Sequence, residues 1–509
     1  MASDIGSLIS PLPQRYDRLR IDAAFVYTAD PADPVIAGGS ILIEDATIVA
    51  VGSSAEVDAI EQELPTAPSD RTRRIDARDR MVLPGLINDH WHEASALRAY
   101  AGSTVSPDDS DTAPSPFAGG GDMRIISTLF DDFRGITAAL PGELAHLAAL
   151  ESFVTQLRSG TTTVADFGSL NRPDVLAAEA LRTGIRAVVS GYGVDGVCRP
   201  GENAFVHTQE TAEVLEQFRT VLDRYNRHES GLLRAMPSIL FGLSASDELM
   251  LGANELAHRF DTPIATHISA GATENATSLE VFGCRSVERW HRLGLLSPRV
   301  VSAHTAFADD DELGWLLDAG VHITHSPQRY GATGENVITT TKQILRLLSA
   351  KAPVSLSTDG DPLPLGGMPE SMRMGWLAYN EAAGDPSVVT PMRALSMATL
   401  RGAEALGWQR EIGSLTVGKK ADLITVPIND FRYVGLQRPL QAFLSAGGSG
   451  DIDMVIVDGR VLVEDRAITF IDEHELANAF LTASTEFARA LGAEIHRPLR
   501  QQRTLRTRK

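Results

Sequence analysis

Cysteine is scarce in this sequence, with two among 509 residues. Cys198 and Cys284 are too few to build a disulfide framework or a zinc site based on thiolates. Long apolar runs are also missing, since no stretch reaches the length of about 18 residues that is typical of a membrane helix. Residues 1–20 lack the basic and then apolar order of a secretory signal. These absences predict a cytoplasmic protein with reduced cysteines and no membrane partner.

Positive charge is in deficit, with 46 Lys and Arg against 66 Asp and Glu and a formal net charge of -20. Such an acidic surface repels phosphate backbones and anionic lipid headgroups, which disfavours nucleic acid or a membrane face as the main partner. Hydrophobic residues make up 43% and charged residues 22%, the mix of a globular chain that buries a core. We therefore expect a small neutral or weakly charged substrate, and we predict a homo-oligomer.

Short β-forming segments occur near both ends of the chain, each bounded by Pro, Gly or Asp. They lie at residues 21–27, 40–44, 47–51, 422–426, 454–457 and 461–464. The two groups can build one sheet together, so we predict a small composite β-sandwich domain from residues 1–80 and 411–470. Residues 471–509 are predicted to form a tail that is helical over 476–491 and basic after it.

The middle of the chain alternates between helix-like and strand-like stretches, and Gly160, Gly184 and Gly320 each end a helical stretch before an apolar run. The predicted strands lie at residues 87–89, 161–167, 185–190, 238–240, 263–266, 300–303, 321–324 and 354–357. Eight such units over residues 81–410 predict an α/β fold, a (β/α)8 TIM-type barrel with its chemistry at the C-terminal ends of the strands. A doubly wound open sheet is the alternative. Residues 101–122, rich in Gly, Pro and Ser, are predicted to cover the active site.

Two histidines, His90 and His92, stand one residue apart after the first predicted barrel strand. Alternate residues of an extended strand share a face, so both imidazoles can point to one spot at the barrel mouth. Divalent cations of borderline softness prefer imidazole and carboxylate ligands, and this pair needs one or two more of them. His267, His304 and Asp359 are the candidates, because each follows an apolar strand and so falls at the same rim. The five residues together predict a metal site.

Four segments resemble motifs of the metal-dependent amidohydrolase superfamily. Residues 82–92, with His-Trp-His at the end, resemble its first strand; residues 159–167 resemble its second, 357–360 its eighth, and 413–423 its return to the β domain. The resemblance is closest to the cytosine deaminase and chlorohydrolase branch, whose members use a single metal. The branch with two metals has a bridging lysine at the end of strand 4, and residues 238–246 contain none.

The resemblance implies a hydrolase in which His90, His92, His267 and Asp359 bind one divalent metal ion, with zinc favoured over iron, manganese or cobalt. It also implies that His304 lies beside the bound water or the substrate, so His304 and Asp359 are the expected catalytic residues. Further residues expected to contact the substrate are Trp91, His325 and Arg329.

One position departs from the deaminase-like pattern. In that branch a glutamate three residues after the strand-5 histidine shuttles protons, whereas Ala270 stands at this position here. Either another carboxylate such as Glu93 or Glu274 reaches the site, or the leaving group needs no strong protonation. We therefore expect hydrolysis of an amide or carbamate C–N bond, or of a thiocarbamate C–S bond, ahead of deamination or dechlorination of a nitrogen heterocycle.

Two other interpretations have less support in the sequence. A non-catalytic assembly protein with the same barrel would have lost metal ligands, and here all the expected ligands are present. Residues 191–196 carry the glycines of a dinucleotide-binding loop, but Pro200 and Gly201 follow where that loop needs a helix.

Overall fold

The structure is a computed structural model. It describes residues 5–32, 34–93, 95, 118, 121–169, 171–360, 366–433 and 437–491. The predicted active-site cover, residues 101–122, lies outside the described residues except for positions 118, 121 and 122, and the basic end after residue 491 lies outside them too. Within the described ranges, no helix has both the length and the apolar character needed to cross a bilayer.

Strands and helices alternate along most of the chain. The strands are β1 (Arg18–Tyr27), β2 (Val35–Ala37), β3 (Gly39–Glu44), β4 (Thr47–Ser53), β5 (Thr72–Pro84), β6 (Leu86–Trp91), β7 (Thr161–Asp166), β8 (Arg186–Ser190), β9 (Gly196–Cys198), β10 (Phe205–His207), β11 (Leu233–Met236), β12 (Ser238–Ile239), β13 (Ile264–Ile268), β14 (Val300–His304), β15 (His322–His325), β16 (Val354–Leu356), β17 (Leu423–Pro427), β18 (Met454–Val457), β19 (Arg460–Glu464) and β20 (Ala467–Ile468). The helices are α1 (Ile5–Leu8), α2 (Ser54–Glu63), α3 (Met123–Ala139), α4 (Gly142–Arg158), α5 (Pro173–Thr183), α6 (Thr211–Tyr225), α7 (Asp247–Arg259), α8 (Glu274–Phe282), α9 (Ser286–Arg292), α10 (Asp310–Asp318), α11 (Pro327–Thr333), α12 (Val337–Thr341), α13 (Gln343–Ser349), α14 (Met368–Ala383), α15 (Pro391–Met397), α16 (Leu400–Ala405), α17 (Pro439–Ala446) and α18 (Glu473–Leu491).

A parallel barrel forms the middle of the molecule. Its strands run in the order β6, β7, β8, β11 and then β12, β13, β14, β15, β16. The fourth position is split between β11 and β12 at Pro237, which has no N–H to donate to a neighbouring strand. The ring closes between β16 and β6, where the Asp359 N–H donates to His90 O at 3.1 Å. The predicted barrel is confirmed, although its fourth strand begins at Leu233, earlier than the predicted residues 238–240.

A nine-stranded sheet combines segments from both ends of the chain. Its order is β20-β19-β18-β17-β5-β1-β3-β4, with β2 paired to β1. β17 runs antiparallel to β5, and β1 runs parallel to β5, so the C-terminal strands add directly to the N-terminal ones. Apolar side chains from both ends, such as Leu19, Ile43 and Ile456, belong to one buried cluster. Strands from both ends of the chain therefore share one sheet and one buried apolar cluster.

The sheet also positions the first barrel strand. β5 passes directly into β6 through Gly85, where a Cβ would lie 2.2 Å from Thr162 Oγ1. Because only glycine permits this approach, β6 lies close against β7 from its first residue. His90 and His92, at the far end of β6, are thus held by a strand that is anchored in both parts of the fold.

Candidate active site

Three imidazoles converge at the C-terminal rim of the barrel. The Nε2 atoms of His90 and His92 are 3.2 Å apart, and His267 Nε2 lies 3.0 and 3.2 Å from them. Ligands about 2.0 to 2.1 Å from a tetrahedral zinc ion lie about 3.3 Å from each other, so this spacing fits a shared ion. Asp359 Oδ1 completes the group at 3.6 Å from His90 Nε2 and 3.5 Å from His92 Nε2. The four ligands expected from the sequence therefore lie together.

Backbone carbonyls determine which nitrogen carries the proton in two of these rings. His92 Nδ1 lies 3.0 Å from Gly168 O, and His267 Nδ1 contacts Leu240 O. A carbonyl oxygen can only accept, so each Nδ1 holds the single proton of a neutral imidazole and each Nε2 presents a lone pair. Two lone pairs 3.2 Å apart repel each other unless a cation lies between them. The donor set thus has the chemistry of a metal site.

The electrostatics of the site favour the metal-binding forms of these side chains. Burial lowers the pKa of His90 and His92, and it lowers the pKa of His267 to about 3, so all three are neutral. Burial alone would raise the pKa of Asp359, but the nearby Arg329 guanidinium outweighs it and holds that pKa well below its usual range. Asp359 is therefore a carboxylate, and it faces three neutral imidazoles.

The turns that follow β14 and β16 aim two polar side chains at the same place. His304 and Asp359 have φ angles of 70° and 59°, in the left-handed region that residues other than glycine rarely adopt. Strained backbone of this kind is concentrated at functional sites. Asp359 Oδ2 lies 3.5 Å from His304 Nε2 and 3.2 Å from Arg329 Nη1. The predicted catalytic pair is thus adjacent, with Oδ1 of Asp359 beside His90 and His92 and Oδ2 beside His304.

The model of the amidohydrolase family matches residues 81–462, most of the chain and all of the barrel. The chain belongs to this family. A 5-methylthioadenosine/S-adenosylhomocysteine deaminase of Acetivibrio thermocellus is 27% identical to it over 459 residues, which cover 90% of this chain and 96% of the relative. A 5'-deoxyadenosine deaminase of Methanobrevibacter smithii is 27% identical over 441 residues, 86% of this chain and 91% of the relative.

Solved structures share the fold of this amidohydrolase. An adenosine deaminase from Xanthomonas campestris with bound zinc superposes with a TM-score of 0.77 at 23% identity, covering 94% of this chain and 99% of that one. An atrazine chlorohydrolase from Arthrobacter aurescens complexed with zinc gives a TM-score of 0.76 at 23% identity, covering 92% and 100%. Together with the ligand group on the barrel rim, the family makes the protein a metal-dependent hydrolase.

Two cavities border the candidate metal site of this amidohydrolase. The larger, of about 470 Å³, is lined by Trp91, His92 and Asp359 among others, and its size suits a small molecule. The smaller, of about 30 Å³, holds no more than one or two waters. Its polar lining is formed by His267, His304, Arg329 and Glu335, and its apolar lining by Met123, Ile126, Phe130, Phe241 and Ala270.

Of the three residues expected to contact substrate, Trp91 lines the larger cavity, Arg329 lines the smaller one, and His325 lines neither. Trp91 packs against Phe153 on the face of β6 away from the ligands, with ring centroids 5.6 Å apart, and still lines the larger cavity. Arg329 lines the smaller cavity and pairs with Glu335 as well as Asp359. His325 is buried with its Nδ1 on the Tyr379 hydroxyl, and it lines neither cavity.

Glu93 and Glu274, the two carboxylates that could replace the missing glutamate, line neither of these two cavities. Glu93 accepts hydrogen bonds from Ser95 N and Ser152 Oγ, at 2.5 and 2.7 Å. Glu274 accepts from the backbone N–H groups of Ser269 and Ala270, at 2.8 and 2.6 Å, and so caps the end of β13.

Glu335, which the sequence analysis missed, does line the smaller cavity, together with Ala270. It is held there by Arg329, and Thr333 Oγ1 donates to it at 2.7 Å. It follows α11 in a short connecting segment, where no strand end or sequence motif marks it.

Proposed function

We propose that this amidohydrolase uses a single zinc ion, held by His90, His92, His267 and Asp359, to hydrolyse a C–N or C–S bond at an sp² carbon of a small, neutral or weakly charged molecule such as an amide, a carbamate or a thiocarbamate. The observation that carries the proposal is the convergence of three Nε2 atoms within 3.2 Å of one another, with the Asp359 carboxylate beside them. A divalent ion held by such ligands lowers the pKa of water from about 15.7 to near 7, which supplies hydroxide at neutral pH.

The residues of the chain supply the other parts of the reaction. Asp359 Oδ2 accepts the proton of the attacking water, since Arg329 keeps this carboxylate ionised and in place. His304 faces the same oxygen atom and contacts the reacting oxygen of the substrate. The larger cavity admits the substrate past His92 and Trp91.

The residues that face the leaving group determine which kind of leaving group can depart. Ala270 offers no proton, and Glu335 on the same cavity is ion-paired with Arg329. This arrangement supports departure of a weakly basic group, such as a thiolate, a halide or an activated amide or carbamate nitrogen. Deamination is the second candidate, because the two similar proteins described above are deaminases of 5-methylthioadenosine/S-adenosylhomocysteine and of 5'-deoxyadenosine.

The test combines metal analysis with a substrate panel. Purified protein would be analysed for zinc, depleted with a chelator, reloaded, and assayed against 5'-methylthioadenosine, adenosine, atrazine, a thiocarbamate, an aryl carbamate and an aryl amide. We expect about one zinc per chain, turnover that disappears on chelation and returns with zinc, and the highest turnover on a compound with a weakly basic leaving group. Highest turnover on an adenine compound would favour deamination instead.

A matched pair of variants compares the loss of a proposed metal ligand with the loss of an exposed histidine. His90→Ala removes one of the convergent nitrogens, so the variant is expected to lose both zinc and turnover. His474→Ala alters an exposed histidine at the start of α18 and is expected to keep both. Full turnover in His90→Ala would contradict the proposal.

The homo-oligomeric state and the cytoplasmic compartment stay predictions. Light scattering of the purified protein checks the first, since an oligomer has a mass that is a multiple of 54.7 kDa. A mass of one chain would contradict it.

A further inference from the structure

Tyr330 lies on α11, 3% exposed, with its hydroxyl turned toward the metal site. The Ser326 N–H donates to this oxygen at 3.2 Å. The only other polar partner of the hydroxyl among the described residues is His304 Nδ1, at 2.8 Å. The phenol therefore joins the backbone of the loop after β15 to the imidazole at the end of β14.

The numbers of donors and acceptors determine the direction of the hydrogen bond between the Tyr330 hydroxyl and His304 Nδ1. A phenol has one hydrogen to donate and lone pairs to accept with. Burial raises the pKa of Tyr330 well above 10, so the hydroxyl keeps its hydrogen. Ser326 occupies a lone pair, and the remaining hydrogen has His304 Nδ1 as its acceptor. If His304 Nδ1 carried a proton instead, the Tyr330 hydrogen would have no acceptor among the described residues, which is costly in a buried site.

The hydrogen bond from Tyr330 to Nδ1 determines that the proton of His304 is on the other ring nitrogen. A ring whose Nδ1 accepts a hydrogen bond has no proton on that atom, and a neutral imidazole then keeps its single proton on the other nitrogen. With Nδ1 accepting from Tyr330, that proton is on Nε2, the atom 3.5 Å from Asp359 Oδ2. The ligands His92 and His267 have the opposite tautomer, because their Nδ1 atoms face carbonyl oxygens rather than a hydroxyl.

We propose that Tyr330 is a positioning residue that fixes His304 as the Nε2–H tautomer, so that His304 donates a hydrogen bond to the substrate oxygen that gains negative charge. This inference rests on the proposed function and deepens it. It leaves Asp359 as the group that accepts the proton of the attacking water. A preorganised donor of this kind stabilises charge that develops in the transition state.

Neutron diffraction from deuterium-exchanged crystals of the zinc-loaded protein tests the tautomer without any substrate. We expect deuterium on Nε2 and none on Nδ1 of His304, with the Tyr330 deuteron directed at Nδ1. Deuterium on His304 Nδ1 would overturn the proposal. This result is independent of turnover, so it stands or fails separately from the proposed function.

The positioning role of Tyr330 is then tested by measuring kcat and KM of Tyr330→Phe with the panel compound that gives the highest turnover. We expect unchanged zinc content, KM within about twofold, and kcat lower by about tenfold or more, within the range for loss of one oriented donor. Tyr433→Phe is the matched control, because Tyr433 is buried and its hydroxyl has no hydrogen-bond partner among the described residues. It is expected to retain wild-type kcat and KM.

A double-mutant cycle separates action through His304 from a general structural effect. In a His304→Asn background, adding Tyr330→Phe is expected to change kcat by less than about twofold, since its effect has already been removed. An equal loss in both backgrounds, or a loss of zinc in Tyr330→Phe, would show that Tyr330 acts in another way. If Tyr330→Phe fails to fold, the neutron result on the wild-type protein still decides the tautomer.

Discussion

Gly360 follows Asp359 and lies directly against His92, one of the proposed metal ligands. A Cβ at this position would be 2.7 Å from His92 Cβ. Gly360→Ala is therefore expected to displace His92 and to weaken zinc binding by about tenfold or more, as changes to the groups that support metal ligands do. Competition with a chromogenic chelator measures this affinity. Gly314→Ala, where a Cβ meets nothing within 4 Å, is the control, and equal zinc affinity in the two variants would contradict the prediction.

Glu274 gives the protein a pH dependence of stability. Burial raises the pKa of this carboxyl to about 7, although Ser286 and the backbone N–H groups of Ser269 and Ala270 act in the opposite direction. Between about pH 4.5 and pH 7 the folded state holds a proton that the unfolded chain has lost. The free energy of unfolding therefore falls as pH rises through this window, by at most about 1.4 kcal/mol per pH unit, and the loss is complete above it.

Glu274→Gln removes this titration. Denaturant unfolding of both proteins across the same pH window is expected to show a smaller decline in the variant. Parallel curves would show that Glu274 does not titrate in this range.

Some residues of the site could be predicted from the sequence, and others could not. His267, His304 and Asp359 were predicted because each is a polar residue directly after an apolar strand of a barrel, and their convergence follows from that fold. The contact of Tyr330 with His304 was not predicted, and Glu335 was missed. Both enter the site from α11 or the segment after it, where side-chain direction depends on packing that no periodicity encodes. The catalytic and ligand roles themselves stay predictions until tested.

Among the elements, β5 shows where sequence patterns fail. Its first nine residues include six charged side chains, so it lacks an apolar run and was not predicted as a strand before Met81. The structure places it between β1 and β17 at the centre of the sheet, where Arg74, Asp76 and Arg78 are exposed and the alternating Ile75 and Ala77 are buried. The tail helix was easier to predict, because α18 (Glu473–Leu491) has apolar residues at helical spacing. The prediction of a helix over residues 476–491 is confirmed.

The packing of α18 is testable with two neighbouring residues. Phe480 is 8% exposed and belongs to the main apolar core, whereas Leu481 is 61% exposed. Phe480→Ala is expected to lower the free energy of unfolding by about 3 kcal/mol, the range for a truncated core phenylalanine. Leu481→Ala is expected to change it by less than about 0.5 kcal/mol. Thermal unfolding followed by circular dichroism compares them, and equal losses would mean that α18 does not dock through this face.

In the whole molecule, the barrel and the sheet are joined by a buried ion cluster. Arg186, at the start of β8, donates to Asp422 from Nε at 2.6 Å and from Nη2 at 3.0 Å, and to Asp458 from Nη2 at 3.0 Å. All three side chains are buried. Removing one member of such a cluster leaves uncompensated charge in the interior, which costs about 3 to 5 kcal/mol.

Arg186→Met is therefore expected to lower the free energy of unfolding by that amount. Arg219→Met, which removes exposed ion pairs on α6, is expected to cost less than about 1 kcal/mol. Denaturant unfolding of the two variants gives the comparison, and similar stabilities would show that the cluster does not hold the two parts together.

The overall architecture was largely predictable because it repeats. A glycine-ended helix followed by an apolar strand recurs along the chain, and a parallel barrel is the arrangement that buries eight such strands. The sheet was predictable in outline, since each end of the chain contributes strands that cannot bury their apolar faces alone. The domain boundaries after residues 80, 410 and 470 stay predictions, and β5 runs across the first of them.

The central claim is that three imidazoles and one carboxylate bind a single ion at the barrel rim. Anomalous diffraction at the zinc edge, from crystals of the zinc-loaded protein, locates that ion directly. We predict one anomalous peak in each chain, at about 2.0 to 2.2 Å from Nε2 of His90, His92 and His267 and from Oδ1 of Asp359. A peak elsewhere, or none at full zinc occupancy in solution, would contradict the account.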